Sequence, residues 1–106
     1  MPQVVKKNGE HQPFDREKMR SGLAIACRKR PVSDEQLDAV VTAVELRAFH
    51  EAEKGEIPSV RLGALVLEEL LRLDRVAYLR FASVYQELGS PEAFLALLQP
   101  LLAEAR

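Results

Sequence analysis

A single cysteine, Cys27, stands in the whole chain, so neither an internal disulfide nor a zinc site of four thiolates can be built from it. The two histidines, His11 and His50, fall on different predicted elements without a ligand nearby in sequence, which leaves them as surface or capping residues. No metal site is expected. No apolar run approaches the ~20 residues that cross a bilayer, and no basic start followed by an apolar core marks a secretory leader. A cytoplasmic protein without a membrane partner is therefore expected. Also missing are a phosphate-cradling G-x-x-x-x-G-K-S/T loop, a Gly-rich dinucleotide fingerprint, and any locally supported Ser/His/Asp or Cys/His pairing. The adjacent carboxylates Glu68 and Glu69 leave a helix in different directions and read as a solvated face. The chain is expected to be a binding module and not an enzyme. No repeat, low-complexity linker or composition shift divides it, and 106 residues at 47% hydrophobic content suffice for one core, so residues 1–106 are read as one domain.

What is present begins with an uneven charge distribution. Residues 1–30 carry 8 basic and 3 acidic side chains, a net +5, whereas the remaining residues carry 7 and 13, a net −6. The basic end favours a bound anion. A chain whose total charge is only −1 is a poor non-specific binder of nucleic acid, because that affinity grows with the number of phosphates neutralised.

That basic end holds the most informative stretch, VVKKNGEHQPFDREK from Val4 to Lys18. Val4 and Val5 are β-branched, Asn8-Gly9 suits a two-residue type I′ turn, and Glu10 to Pro13 can run back antiparallel, which predicts a hairpin over about 3–13. Pro13 makes the returning strand an edge. Asp15 then caps a helix, and Phe14 is placed to staple onto Met19. Lys6 and Lys7 leave the strand on opposite faces, while Lys18 sits in the first turn of a helix whose dipole favours anions, so a polyphosphate fits between them. Lysines beside a turn also serve as solvated charges that discourage edge pairing, and spacing alone does not choose between the two roles.

Helical spacing predicts five helices, over about 15–30, 33–54, 59–73, 74–88 and 90–105. The first buries Met19, Leu23, Ala26 and Cys27 and is stopped by Pro31, with Arg28, Lys29 and Arg30 at its negative end. Ser33 and Gln36 form a capping box for the second, whose stripe is Leu37, Val40, Val41, Val44 and Ala48; Leu46 and Phe49 lie off that stripe. Gly55 is expected to cap this helix, and Glu56-Ile57 to add a third strand. Ser59 is the expected cap of the third helix and Asp74 that of the fourth, on which Ala77, Phe81, Val84 and Leu88 should face the core. Tyr78 and Tyr85 share one face as half-buried rings. In the fifth helix, opened by Ser90-Pro91, leucines fall on more than one face and Pro100 should kink or end it, so self-association is the expected cover. The fold class is α+β, mainly α: a helical bundle capped by a small three-stranded β-sheet.

V-V-K-K-N-G-x-x-x-P-F-D-x-x-K, followed by Arg20, Ser21, Gly22 and Leu23, resembles the opening of the ATP-cone, a nucleotide-binding regulatory domain. The later run VAYLRFASVY, Val76 to Tyr85, resembles the NrdR family of bacterial repressors of ribonucleotide reductase genes. Members normally carry an N-terminal zinc ribbon that contacts DNA, and here Met1-Pro2-Gln3 leads directly into the hairpin, so operator DNA and zinc are expected only through that ribbon. The resemblance implies ATP or dATP as effector, with Mg²⁺ as a companion ion. It also implies a homo-oligomer whose size the nucleotide sets, and thereby an affinity for the operator. It places Val4 on the base, Lys6, Lys7 and Lys18 on the phosphates, and Gln12 where the family often has a glutamate, a neutral replacement that bears on nucleotide preference and magnesium. Arg61 and Tyr85 are candidates near the base or ribose. The alternatives are an ATP-cone cut from a ribonucleotide reductase large subunit, against which VAYLRFASVY argues, and a helical interaction module that binds no nucleotide.

Overall fold

The computed structural model describes residues 2–86 and 88–104. Met1, Glu87, Ala105 and Arg106 lie outside them, and with them parts of the predicted domain and of its fourth and fifth helices. Three strands, β1 (Gln3–Val5), β2 (His11–Pro13) and β3 (Glu56–Pro58), interleave with five helices: α1 (Arg16–Ala26), α2 (Asp34–Glu51), α3 (Ser59–Leu73), α4 (Arg75–Tyr85) and α5 (Pro91–Glu104). The class is the expected one, mainly α with a small sheet.

β1 is the centre of that sheet. It pairs antiparallel with β2 and parallel with β3, in the order β2-β1-β3, with Val4 opposite both Gln12 and Ile57. Ile57 is 1% exposed and Val4 packs on the core, so this register aims one face of the sheet at the helices. The turn differs from the expected two-residue form. Lys6 N–H donates to Glu10 O at 2.8 Å and Gly9 N–H to Lys6 O at 2.9 Å, enclosing a three-residue loop, Lys7-Asn8-Gly9, in which only Gly9 has positive φ (88°). Asn8 uses its side chain instead, its Oδ1 accepting from Glu10 N–H at 2.9 Å.

Caps mark several helix starts as the sequence suggests. Asp15 accepts from Lys18 N–H at 3.0 Å, and Ser33 and Gln36 complete a reciprocal capping box. Other boundaries move. α1 ends at Ala26, four residues before the predicted end, because Lys29 turns left-handed (φ 62°) and the Arg80 guanidinium donates to the carbonyls of Ala26 (3.2 Å) and Arg28 (2.6 Å). The basic triplet therefore forms a turn, and Arg30 reaches Asp74 at 3.0 Å. α2 stops at Glu51 with Ala52 as cap; Gly55 instead shares with Lys54 a tight turn in which both have positive φ, closed by reciprocal backbone bonds between Glu53 and Glu56. Ser59 is already helical, so Pro58 takes the cap position of α3 without a side-chain bond.

The core gathers α1, α2, α3 and the start of α4 around Leu23, Val41, Val44, Ile57, Leu65 and Leu70, all essentially buried. On α4, Ala77 and Ala82 face inward while Val84, an expected core residue, is 80% exposed. Two alanines make a shallow face that lets α4 approach closely. α5 continues through Pro100, the residue expected to kink or end it, and buries Leu101, leaving Phe94, Leu95 and Leu102 exposed. Leu46 and Phe49 are exposed on α2. No helix among the described residues is long and apolar enough to cross a membrane.

Candidate functional site

Beneath the hairpin, between β1, β2 and the helices α1, α3 and α4, lies a cavity of about 320 Å³. Its entrance carries Val4, Lys6 and Gln12 from the sheet and Lys18 from the first turn of α1; its floor is apolar, with Met19, Leu62, Val66 and Phe81. Each side chain arrives for a local reason. Val4 lies on β1 with Gln12 as its paired residue, and Lys6 follows the strand directly, its N–H donating to Glu10 O at the mouth of the hairpin. Lys18 is the third residue of α1, held by the Asp15 cap, and Phe14 and Met19, the staple pair, both line the wall. α3 contributes Ser59, Leu62, Gly63 and Val66, an i, i+3, i+4, i+7 face. A second cavity, of about 660 Å³, adjoins the first and is lined by Lys6, Lys7, Asn8, Ser59, Val60 and Tyr85 among others.

Of the seven residues singled out from sequence, Val4, Lys6, Gln12, Lys18 and Tyr85 come together around the inner cavity, and Lys7 lines the outer one. Arg61 lines neither. Its guanidinium faces α2, donating to Glu51 at 2.6 and 2.9 Å with Glu68 at 3.7 Å, because the helical turn that puts Ser59 and Leu62 toward the cavity sends Arg61 away. The hydrogen-bonded Arg61 holds the Glu51 carboxyl below its ordinary range.

Electrostatically the cations of the site lack carboxylate partners. Among the described residues, no carboxylate lies within ion-pair distance of Lys6, Lys7 or Lys18, whereas Arg16, Arg20, Arg30, Arg47, Arg61 and Arg72 each have one. Two exposed ammonium groups, Lys6 and Lys18, line the apolar slot beside a helix N-terminus, and a third, Lys7, lines the outer cavity. That arrangement can hold a molecule with a flat apolar end and a polyanionic tail. Among the described residues no group of three or more His, Cys, Asp and Glu could hold a metal ion.

Ser59, Gly63 and Phe81 are among the contributors not read from the sequence as site residues. Tyr85 lies over Gly63, its hydroxyl donating to Ser59 O at 2.5 Å and its ring stacked on Phe81 with centroids 5.9 Å apart and planes at 18°. Burial pushes the Tyr85 phenol above its ordinary pKa. The available signal was an isolated glycine inside the apolar run of a helix, which marks a close approach.

The ATP cone domain family matches residues 2–90. The transcriptional repressor NrdR of Leptothrix cholodnii is 46% identical over 101 residues, covering 95% of this chain and 68% of that protein. The NrdR of Pelotomaculum thermopropionicum is 48% identical over 103 residues (97% and 61%), and that of Dechloromonas aromatica 45% over 106 (100% and 68%). The chain thus spans 61% of the length of the second relative and 68% of the other two. All are named as repressors of transcription, a role without catalysis. This chain belongs to the NrdR family and carries its ATP-cone domain.

Proposed function

We propose that the cavity beneath the hairpin binds an adenine nucleotide, ATP or dATP, and that its occupancy informs a repressor of ribonucleotide reductase genes. The observation that carries the reading is the set of unpaired lysines, Lys6 and Lys18 at the inner cavity and Lys7 at the outer one, beside an apolar slot in a chain of the ATP-cone family. Val4 packs on the base, and the two cavities together admit base and phosphates, ligand sites commonly measuring about 300–1,000 Å³. Lys6, Lys7 and Lys18 take the phosphates. Gln12 lies beside the nucleotide as a neutral hydrogen-bonding group, so Mg²⁺, where it accompanies the ligand, is carried by the phosphates and not by a carboxylate at this position. Arg61 has no part in it.

The regulatory step is assembly into a homo-oligomer. Exposed apolar side chains on α2 (Leu46, Phe49) and α5 (Phe94, Leu95, Leu102) favour a second copy as cover, and a nucleotide shifts assembly only through its different affinity for the two states. Operator DNA is met through the family's zinc ribbon, and this charge-balanced domain contributes little to that contact. Membership of a repressor family disfavours the reductase alternative. Calorimetric titration with ATP, dATP and GTP, with light scattering under each condition, tests the proposal. Micromolar adenine-nucleotide binding with a nucleotide-dependent mass is expected; no heat at millimolar ATP and dATP refutes it, and an unchanged monomer refutes the assembly step alone.

A further inference from the structure

Lys6, Ser59 and Tyr85 are the residues common to the inner and outer cavities. Of these three, Tyr85 brings a ring to both cavities, pinned by its 2.5 Å hydroxyl bond to Ser59 O and laid against Phe81. It can lie there only because residue 63 is glycine: a Cβ at that position would collide with the Tyr85 ring carbons and hydroxyl, the three atoms nearest to it. Tyr85 is also the last residue of α4 and is 38% exposed, so its side chain has solvent to move into.

We propose that the Tyr85 ring is a displaceable occupant of the ligand slot: a flat aromatic group held over Gly63 and beside Phe81, in the place that the planar base of the nucleotide takes on binding. This rests on the nucleotide reading above and adds to it the residue that competes for the site. The slot suits any flat ring, because Gly63 presents bare backbone at one point of its lining and Phe81 an aromatic face, and a stacked pair is favourable with either occupant. The intramolecular occupant lowers apparent affinity by the fraction of molecules in which the slot is closed, so Tyr85 sets the nucleotide concentration at which the domain responds. Swinging out merges the two cavities along Lys6, joining the apolar slot to the lysine-lined trough.

The chain has two tyrosines, Tyr78 and Tyr85, and no tryptophan, which makes accessibility of this one ring directly readable. Nitration of Tyr85, followed by mass spectrometry with Tyr78 as the internal reference, is measured with and without saturating ATP, saturation being established by calorimetry on the same sample. A severalfold rise in the Tyr85 rate on binding is expected. Gly63→Ala, which puts a better helix former into α3, should give the same high rate without nucleotide while circular dichroism stays native. Tyr85→Ala should bind ATP tighter by about threefold or more. Bound ATP with an unchanged Tyr85 rate overturns the displacement and leaves nucleotide binding standing. Weaker or equal ATP binding by Tyr85→Ala also overturns it, since the ring would then assist the ligand or ignore it. A Gly63→Ala protein that keeps Tyr85 protected does the same without any ligand. Absence of calorimetric binding in every variant removes the nucleotide reading and this proposal together, a result distinct from the others.

Discussion

On the face shared by α2 and α3, cations meet anions: Arg47 bonds Glu68 and Glu69, Arg61 bonds Glu51, and Arg72 approaches Glu69 at 3.7 Å. Under the hairpin, Lys6 and Lys18 meet none among the described residues. The side chains differ as the roles require. A planar guanidinium grips a fixed carboxylate through two parallel donors, while an ammonium is a mobile point charge that follows a phosphate. Charge that is already paired holds the fold, and charge left unpaired is available to a ligand. The buried counterpart of the first kind is Asp74, whose carboxylate is 7% exposed and accepts from Ala77 N–H at 2.9 Å and from Arg30 at 3.0 Å.

The comparison breaks most visibly at Asp74. Asp74→Ala removes a helix cap and strands Arg30, an expected loss of about 2 to 3 kcal/mol in unfolding free energy, read by urea denaturation, with ATP binding to the folded protein intact. On the other side, Lys6→Ala and Lys18→Ala should each cost about 1.5 to 3 kcal/mol of triphosphate binding, much less of adenosine binding, and no folding stability. Equal losses for ATP and adenosine would move these lysines into the structural class. A finer cut uses pH. Burial alone would raise the Asp74 carboxyl, but the Ala77 N–H and the Arg30 guanidinium outweigh it and hold it below the ordinary value. Its stabilising contribution is therefore complete above the unfolded value of about 3.9 and is lost as pH falls through the lower folded value. Thermal melts should show an acid limb below about pH 4 that Asp74→Asn shortens. The smallest effect belongs to Arg61→Ala. An exposed pair is screened, so neither melting temperature nor ATP affinity should move measurably, and a loss of ATP affinity would return Arg61 to the site.

Much of the framework is legible in the residues themselves because caps and stripes are local. Asp15, Ser33 with Gln36, and Asp74 each act within three residues, and the apolar spacing of Leu37 to Ala48 or Leu65 to Leu70 requires only a helix to become a buried face. The lysines of the hairpin stand out because they flank the Asn8-Gly9 turn, although both lie beyond β1 and Lys7 falls in the loop, so strand alternation does not set their sides. What escaped depends on partners far along the chain. α1 ends where Arg80 takes its carbonyls, Arg61 turns toward Glu51, and Lys29 and Lys54 adopt a backbone that glycine or asparagine usually takes. The Gly63–Tyr85 approach joins two helices through an absence of side chain: the isolated glycine is visible in the sequence, but the partner that approaches it is not.

Arg80 has a consequence for the order in which this chain assembles. Its donors close carbonyls 54 and 52 residues earlier, at the end of α1, and Arg30 joins Asp74 across a separation of 44. The closing turn of α1 is thus completed only after α2, β3 and α3 have been laid down and α4 has docked, so the first helix in sequence is among the last to be finished. Local opening of α4 should release that turn with it, and in hydrogen exchange the amides of Cys27 to Arg30 should lose protection as one cooperative unit with α4 and not with the rest of their own helix.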